Sequence, residues 1–329
     1  MSTYRTERGQ LIKSVSSDPS NPKLGEIWYN TTIGSLKGYI FTADAWSAGG
    51  NLNSGRNTAA GGGTQTAGLF FGGADAPYPS APQGTGKTEE YNGSSWSESG
   101  DLNTARTYLG GTGTQTAGLA AGGRYNTPGP ERAEVEEYNG SSWSEQNDLN
   151  TARINLGGCG TQTAGLGFGG DASGVTDVTE EYNGSSWSEQ NDLNTAREAI
   201  CGAGTQTAAL GFGGYVSGAS ALTEEYDGSS WTASNNMGTA RYSLAGSGTQ
   251  TAALAFGGSP SPAGGATEEY DGTSWTATSS MATARRQLAS ANASPSTASL
   301  AFGGFSTVNV TTTEEFTGIV DAVTSLDVS

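Results

Sequence analysis

Large apolar, small and polar positions follow a period-two pattern that recurs along most of the chain. In Ala164-Gly165-Leu166-Gly167-Phe168-Gly169, the apolar side chains Ala164, Leu166 and Phe168 share one face of a strand and the glycines share the other. The next copy sets Ala208, Leu210 and Phe212 against Ala209, Gly211 and Gly213. A short run opened by an arginine precedes each such segment, as in Arg153-Ile-Asn-Leu-Gly-Gly-Cys-Gly, and a Thr-Gln turn at Thr161–Gln162 joins the two. After the apolar strand, a hydrophilic stretch of 8 to 14 residues leads to Glu-Glu-Tyr. An Asn-Gly or Asp-Gly dipeptide follows, at 92–93, 139–140, 183–184, 227–228 and 271–272. Such a dipeptide between strand patterns is a strong hairpin signal. Trp96, Trp143, Trp187, Trp231 and Trp275 open the strand beyond it. The pattern predicts four short strands per unit, with helix signals nearly absent.

Six near-copies of this unit are present. The third and fourth share TEEYNGSSWSEQNDLNTAR almost letter for letter, at Val135–Arg153 and Thr179–Arg197. Equivalent arginines fall at Arg56, Arg106, Arg153, Arg197, Arg241 and Arg285, spaced by 50, 47, 44, 44 and 44 residues. A period in that range signals a propeller blade or a solenoid unit. One unit is too small to bury a core of its own. Small residues on one face of the second strand suggest sheets stacked face to face, large side on small side, since glycine inside a strand often marks close approach by a neighbour. A closed ring covers both faces of every sheet; an open β solenoid is the alternative.

The residues resemble the kelch repeat. Its marks here are twin glycines after an apolar strand, at 72–73, 122–123, 169–170, 213–214, 257–258 and 303–304, then a tyrosine with a tryptophan five residues later. The aromatic pairs are Tyr91/Trp96, Tyr138/Trp143, Tyr182/Trp187, Tyr226/Trp231 and Tyr270/Trp275. The last unit has Phe316 and no following tryptophan. Near the N-terminus, Phe41 and Trp46 keep the five-residue gap, so residues 39–46 align with the third-to-fourth-strand hairpin. The resemblance implies an all-β, kelch-like β-propeller of six four-stranded blades, its ring closed by N- and C-terminal strands sharing one blade. Seven blades result if residues 24–46 build an extra sheet.

Residues 1–36 fall outside the repeat and read as an N-terminal attachment segment with a short hairpin around a Thr-Ile-Gly turn, leaving 37–329 as the propeller. The phrase SDPSNPKLGEIWYNTTIGSLKGY at 17–39 resembles the N-terminal segment of bacteriophage tail-fibre and other virion proteins. It implies a virion protein, tail- or fibre-associated, that docks on other virion proteins through this segment.

Composition narrows the function further. The formal net charge is −17 with four lysines, which argues against nonspecific nucleic-acid binding. No apolar run is long enough for a membrane span, and MSTYRTERGQLIKS lacks the apolar core of a signal peptide. Synthesis in the host cytoplasm and residence in the virion are therefore expected, with no membrane insertion. Cys159 and Cys201 occupy non-equivalent repeat positions and read as buried free thiols. The chain has no histidine, which removes histidine triads and histidine metal sites. Some kelch-like propellers are copper oxidases, but their histidine ligands have no counterpart here. No cofactor, metal or catalytic residue is expected.

The paired carboxylates Glu89–Glu90, Glu136–Glu137, Glu180–Glu181, Glu224–Glu225, Glu268–Glu269 and Glu314–Glu315 raise the question of a glycosidase. Adjacent strand residues face opposite ways, so a pair does not converge on one substrate. Six pairs against six arginines suit a ring of structural Arg–carboxylate contacts. Asn139-Gly140-Ser141 matches a glycosylation sequon but reads better as a turn. The copies disagree between Gly-Gly and Glu-Glu, and in the two residues after each repeat arginine. Up-and-down topology puts both regions on one face of the disk. Binding residues concentrate on loops carried by a rigid scaffold, so the candidate ligand-binding residues are Tyr78, Tyr108, Arg124, Tyr125, Tyr215, Tyr242 and Arg286. A host surface receptor or glycan is the expected partner of that face. A lectin-like carbohydrate-binding module and a capsid decoration protein are the alternative readings.

Overall fold

The computed structural model describes residues 12–23, 25–75, 83–126, 128–260 and 263–326. They form an all-β architecture of seven four-stranded sheets, consistent with a kelch-like β-propeller. The chain divides into two compact units, residues 45–317 and residues 1–44 with 318–329.

Six of the sheets belong to residues 45–317. Blade three is representative, with antiparallel strands Gly157–Thr161, Ala164–Phe168, Thr179–Tyr182 and Trp187–Glu189 in sequence order. Blades one, two, four and five repeat this within residues 60–99, 110–146, 201–234 and 245–278. Blade six takes Ala289–Ser290, Ala298–Phe302 and Thr313–Thr317 from the end of the repeats and its outer strand, Ala45–Ala48, from their beginning. The innermost strands touch in cyclic order, with Ala60–Thr64 of blade one meeting Ala289–Ser290 of blade six, so the ring closes at six blades.

The sheets stack as the small-residue face requires. A Cβ on Gly118 would lie 2.6 Å from Leu69 of the preceding blade, and one on Gly165 would lie 2.8 Å from Leu119. A phenylalanine ends the second strand in every blade but the second, which has Ala121, and it presses on the next blade. Phe168 would meet a Cβ on Gly202 at 2.7 Å, and Phe302 closes the ring by approaching the Cβ position of Gly61 at 2.9 Å. Phe168, Phe212 and Phe302 are fully buried. The Asn-Gly dipeptides lie in four-residue loops, where Asn92 Oδ1 accepts from the Ser94 and Ser95 amides while Gly93 takes a φ of 87°. Asn139 is committed in the same way, to Ser141 and Ser142.

The second unit is one sheet in the order Lys13–Val15, Ile27–Asn30, Ser35–Thr42, Val320–Ser325, parallel in the first pair and antiparallel thereafter. The expected hairpin around Thr31–Gly34 is present in it. Trp28 is fully buried and donates from Nε1 to Asp18 at 2.9 Å. Two expectations need correction. The boundary expected between 36 and 37 falls inside the strand Ser35–Thr42. Phe41 is not the third-strand partner of Trp46: it lies in that same strand, opposite Asp321, and Phe316 takes the place opposite Trp46. Phe316 itself satisfies the Tyr–Trp pairing rule, so blade six needs no further aromatic.

Candidate binding face

The uniform repeat residues are occupied by structural contacts. Each repeat arginine is buried against the first glutamate of its own blade, as Arg56–Glu89 (2.9 Å), Arg106–Glu136 (3.0 Å), Arg153–Glu180 (3.0 Å), Arg197–Glu224 (2.7 Å), Arg241–Glu268 (2.8 Å) and Arg285–Glu314 (2.6 Å). In blade four, Arg197 Nη1 also donates to the carbonyls of Gly213 (3.0 Å) and Leu222 (2.8 Å). The second carboxylate oxygen of Glu224 accepts from the amide and the side chain of Asn194. Burial lowers the proton affinity of these guanidiniums and the facing glutamates oppose that. The second glutamate faces the other way, as period two demands, and accepts from the tyrosine of the next blade wherever that blade has one; blade six has Phe316 there. Tyr182 donates to Glu137 at 2.9 Å, Tyr226 to Glu181 at 3.0 Å and Tyr270 to Glu225 at 2.6 Å.

Two further uniform positions join blades. Each turn glutamine donates to two carbonyls of the preceding blade. Gln162 reaches Gly118 (3.1 Å) and Tyr138 (2.7 Å), and Gln206 reaches Gly165 (3.0 Å) and Tyr182 (2.7 Å). Most tryptophans donate to the threonine that opens the third strand of the preceding blade, as Trp143 to Thr88 (2.9 Å) and Trp231 to Thr179 (3.0 Å).

The opposite face carries the variation. Blade by blade, the residue after the repeat arginine pairs with the residue after the twin glycines in a two-residue antiparallel bridge: Asn57 with Ala74, Thr107 with Arg124, Ile154 with Asp171, Glu198 with Tyr215, Tyr242 with Ser259, and Arg286 with Phe305. One residue nearer the axis stand Thr58, Tyr108, Asn155, Ala199, Ser243 and Gln287, all left-handed with φ between 49° and 59°. Their backbones form a closed hydrogen-bonded belt, in which each amide donates to the carbonyl of the preceding blade and Thr58 donates to Gln287. The belt rims an axial cavity of about 100 Å³. Beneath it, Ala59, Leu109, Leu156, Ile200, Leu244 and Leu288 form an apolar collar that also lines a second axial cavity of about 120 Å³.

This geometry brings Tyr108, Arg124, Tyr215, Tyr242 and Arg286 onto one face, in three concentric positions. Tyr108 belongs to the belt; burial pushes its phenol up, against the pull of Arg124 and a hydrogen bond with Gln287. Arg124 lies over the Tyr108 ring at 5.9 Å and pairs with Glu131 at 3.4 Å, so it is half-buried. Tyr125 is 40 % exposed and is covered on one face by Arg132 at 4.2 Å. Tyr215 and Tyr242 pack edge to face at 5.2 Å. Arg286 is exposed over Phe305 at 5.4 Å. Tyr78 lies outside the described residues. Phe305 and the belt residues Asn155, Ser243 and Gln287 stand on the same face at varied positions, although they are not among the candidate residues chosen from the sequence. Phe305 was legible as the residue after Gly303–Gly304, the position that Arg124 and Tyr215 hold in their own repeats.

Both cysteines are free. Burial pushes the Cys159 thiol far up and that of Cys201, which lines the axial cavity, up to about 12, so neither is an activated nucleophile. Among the described residues, no three histidine, cysteine, aspartate or glutamate side chains are grouped to hold a metal ion. No helix among them is long and apolar enough to cross a membrane. No protein-family model and no curated protein matches the chain.

Proposed function

We propose that the chain is a non-catalytic bacteriophage virion protein, associated with the tail or a fibre, whose propeller presents its axial-mouth face to a host surface or a neighbouring virion protein. The observation that carries the binding reading is a division of labour. Uniform arginines, glutamates, tyrosines, glutamines and tryptophans are engaged within and between blades, while the varied residues meet at the axial mouth. Tyrosine and arginine, prominent there, are the residue types enriched among binding hot spots. The paired carboxylates do not serve as catalysts in this reading, because arginine, asparagine and tyrosine already engage them in structural hydrogen bonds. The virion setting rests on the resemblance of residues 17–39, and the N-terminal unit is its docking part, with exposed Ile27 and Ile33 available for contact.

The test compares two double-alanine variants for incorporation into particles and for adsorption of labelled propeller to host cells. Arg124→Ala with Tyr125→Ala changes the mouth face; Ser94→Ala with Ser95→Ala changes exposed turn residues on the opposite side. Loss confined to the first variant supports the reading. Loss confined to the second puts the binding face on the wrong side, and loss in neither makes the propeller a passive part.

A further inference from the structure

A cavity of about 220 Å³ on the varied face lies between blades five and six, away from the axial cavities. Arg286, Phe305, Ser259, Ser306 and Thr307 line it, and a single 3-10 turn at Ala263–Gly265 walls one side. The volume is below the ~300–1,000 Å³ of sites for drug-sized ligands, so the cleft suits one small ring.

Its chemistry is set by one cation. Of the propeller's arginines, Arg286 alone has no carboxylate partner among the described residues; the six repeat arginines, Arg124 and Arg132 all have one. Unpaired arginine is conspicuous in a chain of net charge −17. The backbone fixes its place, because the Arg286 amide donates to Phe305 at 3.0 Å and the Phe305 amide donates back at 2.9 Å. The guanidinium carbon then lies 5.4 Å from the Phe305 ring centroid, which steadies the cation and leaves N–H donors free at the cleft. A guanidinium presents two parallel donors to one carboxylate. Around it, three hydroxyl side chains offer both donors and acceptors, which suits a polyol ring and not a run of acidic side chains.

We propose that this cleft binds a hexuronate, a sugar ring whose carboxylate pairs with Arg286 and whose hydroxyls meet Ser259, Ser306 and Thr307. The proposal deepens the reading of the mouth face as a binding surface and rests on it.

The experiment titrates the full chain calorimetrically with galacturonate and glucuronate, and in parallel with galactose and glucose, at low and high salt. Binding of a uronate that weakens with salt, absence of binding by its neutral counterpart, and a loss of about tenfold or more in Arg286→Gln are expected. No uronate binding, equal binding of the neutral sugar, or undiminished affinity in a folded R286Q overturns the proposal. Should R286Q misfold, the contrast between uronate and neutral sugar on the unaltered chain still decides. Adsorption that persists and remains sensitive to Arg124 and Tyr125 while every uronate fails would remove the ligand class and leave the binding face standing.

Discussion

The amide of Thr58 in blade one donates to the carbonyl of Gln287 in blade six at 3.1 Å, closing a belt that began one blade further on with Tyr108 donating to Thr58 at 2.8 Å. Six residues of unrelated type hold the same left-handed conformation so that six amides point around the axis in one sense. The ring is thus latched at its centre by backbone and at its rim by the strand Ala45–Ala48. On the varied face a side-chain clasp joins the same two blades, with Asn57 donating to Asn309 at 2.9 Å and Asn309 donating to Ala74 at 3.0 Å.

The belt stores backbone strain that one substitution can release. A left-handed L-residue costs roughly 1–2 kcal/mol, which glycine avoids at some cost in unfolded-state entropy. Ala199, at φ 49°, has no side-chain polar group to compensate. Ala199→Gly is expected to stabilise by about 0.5–1 kcal/mol. A lowered denaturant midpoint would show that the belt residue is held by its side chain instead.

Alkaline stability follows from the interblade tyrosines. Burial and the facing glutamates push Tyr91 and Tyr138 up to about 12, and Tyr182, Tyr226 and Tyr270 also move up from the ordinary 10.0. A phenol whose folded value is raised contributes stability that is complete below the unfolded value and is lost as pH climbs through the folded one. Denaturation midpoints should therefore hold up to about pH 10 and fall between about 10 and 12. Tyr138→Phe should flatten that fall. The share of tyrosinate absorbance that Tyr138→Phe removes should rise with unfolding and not before it.

Face-to-face stacking separates two glycines sharply. A Cβ on Gly202 would meet Phe168 at 2.7 Å and the Gly158 carbonyl at 3.0 Å, whereas one on Gly218 meets nothing within 4 Å. Gly218 also lacks a positive φ. Gly202→Val is expected to cost about 1–3 kcal/mol or more by overpacking, and Gly218→Val to stay within about 0.5 kcal/mol as a surface change. Equal losses of thermal stability in the two variants would contradict the stacking.

The ring was legible in the sequence because its determinants are side chains at fixed spacing. Twin glycines, the Tyr–Trp gap and the alternation of Leu166 and Phe168 with glycine each report a local requirement of a stacked sheet. The matching of Glu pairs to arginines likewise anticipated the buried ion pairs. The belt left no trace of that kind. Thr58, Tyr108, Asn155, Ala199, Ser243 and Gln287 share no single side-chain type, because ring closure and not the side chain imposes their conformation. Gln162 was read only as a turn residue, since its role depends on a carbonyl 44 residues upstream, that of Gly118. Phe41 kept the right spacing to Trp46, but Val320–Ser325 supplied its strand with a partner outside the repeats. The candidate binding residues rest on variation alone, which marks a face and says nothing of what touches it. Arg286 stands out only once the other arginines among the described residues have been paired.

One irregularity in the repeat yields the sharpest test of the interblade contacts. Trp143, Trp231, Trp275, Trp46 and Trp96 donate to Thr88, Thr179, Thr223, Thr267 and Thr313, one blade back. Trp187 should follow the series to residue 135, but that residue is Val135, and the buried Trp187 Nε1 has no partner. Valine and threonine have nearly the same shape, so the exchange changes a hydrogen bond and little else. Val135→Thr should restore the bond and stabilise by about 1 kcal/mol, the net worth of such a bond. The mirror change, Thr179→Val, should orphan Trp231 and cost about 1–3 kcal/mol. Both are read from denaturation midpoints, with tryptophan fluorescence reporting the local change. A destabilised V135T would mean that the threonine hydroxyl finds no geometry there, and that the tryptophan–threonine series is a by-product of packing and not a contributor to it.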